Sequence, residues 1–191
     1  MPPSSPRIDS QTVLRPVRIL AVTAILVALL AVGGGVAGAR TAEQRRATFA
    51  SRLTAGLLRD INELRAAHGL APLRVSPDLT EAAEEHSQEM ATAGYFAHES
   101  RDGTAFWKRL QRFYRPRGRR WQVGENLAWA SPGLSSSSAI RMWMRSPGHR
   151  ANLLRPSWRE IGLAAVRQTA APGLYGGLRV TIVTADFGAR G

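Results

Sequence analysis

The sequence contains no cysteine and a single lysine, Lys108, among its 191 residues. The first absence excludes disulfide bonds, thiol nucleophiles and cysteine-ligated zinc, so the fold depends on its hydrophobic core. The second makes arginine the source of almost all positive charge, and the formal net charge is +12. Glycine-rich nucleotide-binding motifs and internal repeats are also missing. The composition is otherwise globular, with 44% hydrophobic and 7% aromatic residues.

The N-terminal region contains a run of 21 uncharged residues at 19–39, with three arginines before it and one after it. Such a run can cross a bilayer as a helix, and the leading arginines predict a cytoplasmic N-terminus. Its end, Ala37-Gly38-Ala39, also fits a signal-peptide cleavage site. We expect a basic n-region over 1–18, then a cleaved signal peptide or an uncleaved transmembrane anchor. Both place the remaining chain outside the cytoplasm, secreted or membrane-anchored, so a nucleic-acid partner is not expected.

After a predicted linker over 40–50, the apolar pattern changes from helical to extended spacing, which indicates one α+β domain over 51–190. The second predicted helix begins at the N-cap Ser76 and ends at Gly94, and it carries His86 on its apolar face as a core histidine. The other helices are predicted at 47–68, 104–113 and 139–145, and the strands at 122–128, 161–166 and 178–187.

Residues 108–120 hold seven basic residues and no acidic one. This segment predicts either a surface that binds anions, such as lipid headgroups or wall polymers, or simply a solvated loop. The arginines expected to form the anionic contact are Arg112, Arg115, Arg117, Arg119 and Arg120.

Three short polar motifs stand out: Phe96-Ala97-His98, Gly124-Glu125-Asn126-Leu127 and Ser146-Pro147-Gly148-His149-Arg150. Together they offer two imidazoles and one carboxylate, a set that can hold a divalent metal or perform acid–base chemistry. Asn126 can orient Glu125 or fix the local backbone. We interpret Ser146-Pro147-Gly148 as a turn that presents His149.

In their order and spacing these motifs resemble the CAP superfamily, which comprises the cysteine-rich secretory proteins, antigen 5 and pathogenesis-related 1 proteins. The resemblance runs from about residue 58 to 188 and favours the short bacterial branch. It includes Asn62, Arg65, Gly69-Leu70, Pro72-Leu73, Leu79, Ala82-Ala83, His86-Ser87, Met90, Trp143, Asn152-Leu153-Leu154, Ile161-Gly162 and Asp186-Phe187-Gly188. It implies an α-β-α sandwich, with a small antiparallel sheet between helical layers.

The resemblance also implies a central cavity with two histidines and two acids. By motif match, His98, Glu125 and His149 fill three of these positions. The fourth, an acid, falls near Ser146, where this sequence has none.

Three functions are compatible with such a site. The expected one is a binding module for a lipid or sterol-like ligand, or for a cell-envelope component, in which His98 and His149 can hold a divalent metal such as zinc. A metal-dependent hydrolase acting on extracellular peptide or wall substrates, with Glu125 as base, is the second. The missing acid weighs against it, and the resemblance does not imply a general proteolytic activity. The third is a structural polar cluster without cavity chemistry.

Overall fold

The structure is a computed structural model that describes the backbone of residues 18–191 and the side chains of residues 38–191. The chain divides into two units, residues 1–43 and 44–191. The predicted n-region 1–18 and nearly all of the predicted export segment 19–39 lie outside the residues whose side chains are described. Of the helices that the described residues form, none is long and apolar enough to cross a membrane.

Helices and strands follow one another in an α+β order. The helices are α1 (Arg18–Ala67), α2 (Pro77–Ala93), α3 (Phe106–Phe113), α4 (Ser136–Arg145) and α5 (Pro147–Leu153), with a 3₁₀ turn at Gly173–Tyr175. The strands are β1 (Arg74–Val75), β2 (Trp121–Ala130), β3 (Glu160–Gln168) and β4 (Val180–Arg190).

The four strands form one sheet in the order β1-β3-β4-β2. β4 pairs antiparallel with both β2 and β3, and the two-residue β1 adds a parallel edge to β3. The predicted small sheet is therefore confirmed, and helices cover it on both faces as the sandwich requires. β1 was not predicted, because two residues are too short to show an alternating pattern.

The two faces of β4 belong to different cores, since successive side chains of a strand point to opposite faces. Val183, Ala185 and Phe187 pack with Ile61 of α1 and Trp143 of α4. The intervening residues point toward α2, where Ile182 packs with Met90 and Thr184 accepts a hydrogen bond from Ser87 at 2.7 Å. At Gly162 of β3, a Cβ atom would lie 2.0 Å from the Leu79 carbonyl carbon. Glycine here allows α2 to approach the sheet closely.

The predicted limits of α2 are confirmed. The Ser76 hydroxyl accepts a hydrogen bond from the backbone N–H of Leu79, and Gly94 ends the helix in the left-handed conformation at φ 72°. α1 instead begins at Arg18, well before the predicted 47, and contains the predicted linker. The prediction of a turn at Ser146-Pro147-Gly148 was wrong: Pro147 starts helix α5, because its fixed φ angle suits the first helical position.

Candidate ligand-binding site

The candidate site lies at the edge strand β2, where the two helical layers meet. Glu125 is opposite Asp186 of β4, so both point toward the layer of α2 and α3. The neighbouring Asn126 points the other way, toward α5, which carries His149. The sheet edge thereby lets His98, on the loop between α2 and α3, approach His149 from the opposite layer. Their ring centres are 6.4 Å apart.

Glu125 has both carboxylate oxygens engaged. Oε1 accepts a hydrogen bond from His98 Nδ1 at 2.7 Å, and Oε2 accepts one from the guanidinium of Arg109. The side chains of Glu125 and Arg109 are each 1% exposed, whereas that of His98 is 45% exposed. Because a carboxylate only accepts, His98 carries its proton on Nδ1 and leaves Nε2 free. This hydrogen bond raises the pKa of His98 above the usual imidazole value.

Arg109 of α3 connects Glu125 to the loop that carries His98. Its guanidinium also donates to the carbonyl of His98 at 3.0 Å and to Ser100 Oγ at 3.3 Å. A buried arginine and carboxylate require such extra hydrogen bonds, because burial removes the hydration of both charges. Arg109 therefore fixes His98 twice, through Glu125 and through the backbone.

Asp186 is a second acid beneath Glu125, and it is fully buried. Neither of its carboxyl oxygens has a hydrogen-bond partner among the described residues. Burial, reinforced by the nearby charge of Glu125, raises the pKa of Asp186 well above its usual value. Burial next to another carboxylate thus favours the neutral form of this acid.

His86 is buried in α2 behind this cluster, as its apolar position predicted. Nε2 lies 2.9 Å from the carbonyl of Ala97 and 4.0 Å from Glu125 Oε2. Burial lowers the pKa of His86 below its usual value, so the ring is neutral and donates from Nε2 to that carbonyl. His86 supports the loop before His98 and does not reach the surface.

His149 lies in the first turn of α5 and is partly exposed. Burial, and the nearby His98, lower its pKa below the usual imidazole value. Asn126 donates a hydrogen bond to the carbonyl of His149 at 3.0 Å. Asn126 itself is held by Asn152, whose amide donates to both Asn126 Oδ1 and the Glu125 carbonyl at 3.0 Å. Asn126 therefore positions the backbone of His149 and not the carboxylate of Glu125.

Ser146 caps α5 through its backbone, and its side chain makes no capping hydrogen bond. Among the hydrogen bonds of the described residues, none joins the Ser146 side chain to Glu125 or to either histidine. The second acid of this cluster is Asp186, on the adjacent strand. The cluster thus contains two acids, although the position near Ser146 lacks one.

His98 and His149 are the two side chains of this cluster that could bind a divalent metal. A carboxylate that accepts from Nδ1 leaves Nε2 directed to a ligand, which is the usual arrangement behind metal-binding histidines. His149, kept neutral, can supply a second nitrogen. The described residues contain no group of three or more potential metal ligands, so water or a bound partner has to complete the coordination.

Three clefts in the described part of the chain are lined by other residues than His98, Glu125 and His149. One of about 530 Å³ is lined by Arg120, Gln122, Ser157, Arg159, Ala189, Arg190 and Gly191. One of about 600 Å³ borders α3 and one of about 280 Å³ borders α1. The predicted cavity residues therefore form a partly exposed surface site over a buried polar base.

Sequence reasoning brought His98, Glu125 and His149 together but missed Arg109 and Asp186. Arg109 stands in a run of basic residues, which gives no indication that one of them is buried. Asp186 had a usable signal, since it is the only acid within the β-rich stretch that became β4. Its register opposite Glu125 depends on strand pairing, which a single sequence does not show.

Comparison with known proteins agrees with the resemblance to the CAP superfamily. The model of the cysteine-rich secretory protein family, CAP, matches residues 58–187. The chain is similar to two Bacillus subtilis proteins, each at 31% identity: uncharacterized protein YkwD, over 55% of this chain and 39% of the relative, and uncharacterized membrane protein YlbC, over 56% and 30%.

Among solved structures, the fold is similar to an extracellular protein containing an SCP domain from Bacillus anthracis. The TM-score is 0.60 at 25% identity, over 78% of this chain and 43% of that one. This chain spans less than half the length of each of these relatives. The family model covers most of the domain and contains every residue of the site. The chain belongs to the CAP, or cysteine-rich secretory protein, family.

Proposed function

We propose that this chain is an extracytoplasmic CAP-domain binding protein, and that His98 and His149 form its contact site for a ligand or partner. The pair is also suited to hold a divalent cation such as zinc. The observation that carries the proposal is the division of the cluster: the histidines reach solvent, while the charged groups that fix them are buried.

A preorganised contact site needs side chains that are exposed to the ligand and held in place by buried neighbours. Arg109 and Glu125 fix the ring of His98 before any ligand arrives, so less conformational entropy is lost on binding. Asn126 does the same for the backbone of His149. If a zinc ion binds there, it supplies a positive centre that attracts an anionic or carbonyl group of the ligand.

Hydrolysis is less well supported than binding. A carboxylate that acts as general base needs an oxygen within reach of the proton that it removes. Both oxygens of Glu125 are already engaged by His98 and Arg109, and Asp186 is fully buried with a raised pKa. The contacts of Glu125 are those of a residue that positions His98.

A purely structural role fits the buried half of the cluster but not the exposed half. Removing the ring of His98 leaves a gap at the surface, which water can fill, and so little stability depends on it. A partly exposed histidine pair that faces solvent is better explained by contact with another molecule.

Calorimetric titration with zinc tests the proposal. We expect measurable affinity in the wild-type chain and its loss in the double variant H98A/H149A, with each single variant weakened. The matched control is H68A, because His68 is also exposed but lies at the end of α1, where its Nδ1 contacts the Leu64 carbonyl. Equal zinc affinity in the double variant and in H68A would contradict a site at His98 and His149.

The proposed location follows from the relatives together with the sequence. One relative is described as extracellular and another as a membrane protein. The uncharged run at 19–39 supplies a signal or anchor for export. Mass spectrometry of the protein from fractionated cells tests this. A mature chain beginning after Ala39 indicates secretion, an intact chain in the membrane fraction indicates an anchor, and an intact cytoplasmic chain contradicts export.

A further inference from the structure

α3 carries two very different faces. Arg109 and Leu110 are buried, and Arg109 holds Glu125 of the candidate site. The opposite face exposes Trp107 and Lys108, followed by Gln111 and Arg112. Trp107 is 43% exposed and belongs to the few large hydrophobic side chains that the described surface exposes. The ammonium of Lys108 lies 5.4 Å from the centre of its ring.

The loop after α3 extends this face with further positive charge. Residues 115–120 are all exposed and include four arginines. Arg112 pairs with Glu85, and Arg117 lies 4.0 Å from Asp78. The described residues offer no acidic partner to the other cations, which are Lys108, Arg115, Arg119 and Arg120. These four cations and the exposed Trp107 lie on α3 and on the loop that follows it, and we call this part of the surface the Trp107 face.

The Trp107 face includes an open groove of about 600 Å³. Its lining is Lys108, Gln111, Arg112, Arg115 and Pro116. Three cationic side chains and one amide therefore converge on it, and all of them donate hydrogen bonds. Phosphate oxygens, which only accept, are the complementary chemistry.

We propose that the Trp107 face docks on the surface of an anionic phospholipid bilayer, with lipid phosphates in the groove and Trp107 among the headgroups. Unpaired arginines and lysines are attracted to the negative potential of such a surface. Tryptophan is enriched at membrane–water interfaces, because its ring is apolar and its N–H is polar. The combination favours a bilayer over a fully hydrated acidic polymer, because the headgroup region removes the apolar ring of Trp107 from water.

This docking goes beyond the function proposed above and uses none of its contact residues. The two are linked only through α3, whose inner face holds Glu125 and whose Phe106 ring lies 6.2 Å from the ring of His98. Loss of docking leaves zinc binding at His98 and His149 intact, and loss of the histidines leaves docking intact. The two proposals therefore fail separately.

The test measures quenching of Trp107 fluorescence by brominated lipids, using the full chain in vesicles of phosphatidylglycerol or of phosphatidylcholine. The W107F variant gives the contribution of the other four tryptophans, which is subtracted. The quenching reports the depth of Trp107 itself, so insertion of residues 19–39 without docking of the Trp107 face gives no quenching. We expect strong quenching in phosphatidylglycerol, little in phosphatidylcholine, and its loss at high salt.

Two variants that each remove four positive charges test which surface binds the anionic lipid. K108S/R115S/R119S/R120S removes the free cations of the Trp107 face, while R52S/R74S/R141S/R145S removes four exposed arginines elsewhere. At intermediate salt the face variant should need at least about tenfold more anionic lipid for half-maximal quenching, and the control should stay near wild type. Equal effects of the two variants would overturn the proposal. Binding to phosphatidylglycerol without quenching of Trp107 would also overturn it, because the contact would then lie away from Trp107.

Discussion

The buried and exposed halves of the histidine–glutamate cluster are built in different ways. Glu125, Arg109 and Asp186 are enclosed between the sheet and the layer of α2 and α3, and Arg109 bonds both Glu125 and the backbone carbonyl of His98. His98 and His149 sit on a loop and on the first turn of a helix, and both reach solvent. The two halves of this polar cluster therefore have different roles. The buried half fixes geometry and the exposed half remains available for contact.

The largest expected effect comes from breaking the buried half. R109A leaves the carboxylate of Glu125 buried without its cation, and we expect a loss of about 3–5 kcal/mol in the free energy of unfolding. Urea denaturation measures it. The matched control is R112A on the same helix, because Arg112 forms an exposed pair with Glu85 and should change stability by about 1 kcal/mol or less. Similar losses in the two variants would remove the distinction between buried and exposed halves.

The second effect concerns the neutral acid Asp186. Its pKa is raised on folding, so the folded state holds a proton that the unfolded chain releases above about pH 4. Stability is therefore favoured at low pH and falls as pH rises through this window, by at most about 1.4 kcal/mol per pH unit. D186N keeps a neutral side chain of similar shape and removes this slope.

The measurement compares unfolding free energies of wild type and D186N at increasing pH above about 4, where the unfolded chain loses this proton. We expect D186N to gain stability relative to wild type as pH rises. Parallel curves for the two proteins would contradict a protonated Asp186.

The smallest effect on stability is expected from the exposed half. The double variant H98A/H149A loses one hydrogen bond to Glu125 and little packing, and each substitution should cost about 1 kcal/mol or less. The same urea titration gives this value beside that of R109A. A loss as large as that of R109A would show that the histidines are part of the structural core.

The sequence predicted the parts of this site that depend on local signals. The Ser76 cap, the apolar stripe of α2 and the left-handed glycine at Gly94 act within a few residues, so they could be read from the chain and are confirmed. α5 was missed because a Ser-Pro-Gly sequence commonly forms a turn, and seven residues are too few for a helical pattern.

The buried half depends on contacts between distant segments. Arg109 reaches Glu125 across 16 positions of sequence, and Asp186 lies opposite Glu125 only because β2 and β4 pair in that register. Neither contact leaves a periodic pattern. The resemblance to CAP proteins located His98, Glu125 and His149 because motif matching does not require knowledge of the pairing. It did not include Arg109 and gave no role in the site to Asp186.

The link between the two halves is the hydrogen bond from His98 Nδ1 to Glu125, and the pKa of His98 tests it most directly. Following the imidazole resonances of His98 by NMR through a pH titration, in metal-free buffer, gives this pKa. We predict a value above the usual 6.5 in wild type and a lower one in E125Q, because the neutral amide no longer stabilises the charged ring. The proton bound by folded His98 stabilises the fold below pH 6.5, and this contribution is lost as pH rises through the raised value. An unshifted pKa that E125Q leaves unchanged would contradict the account.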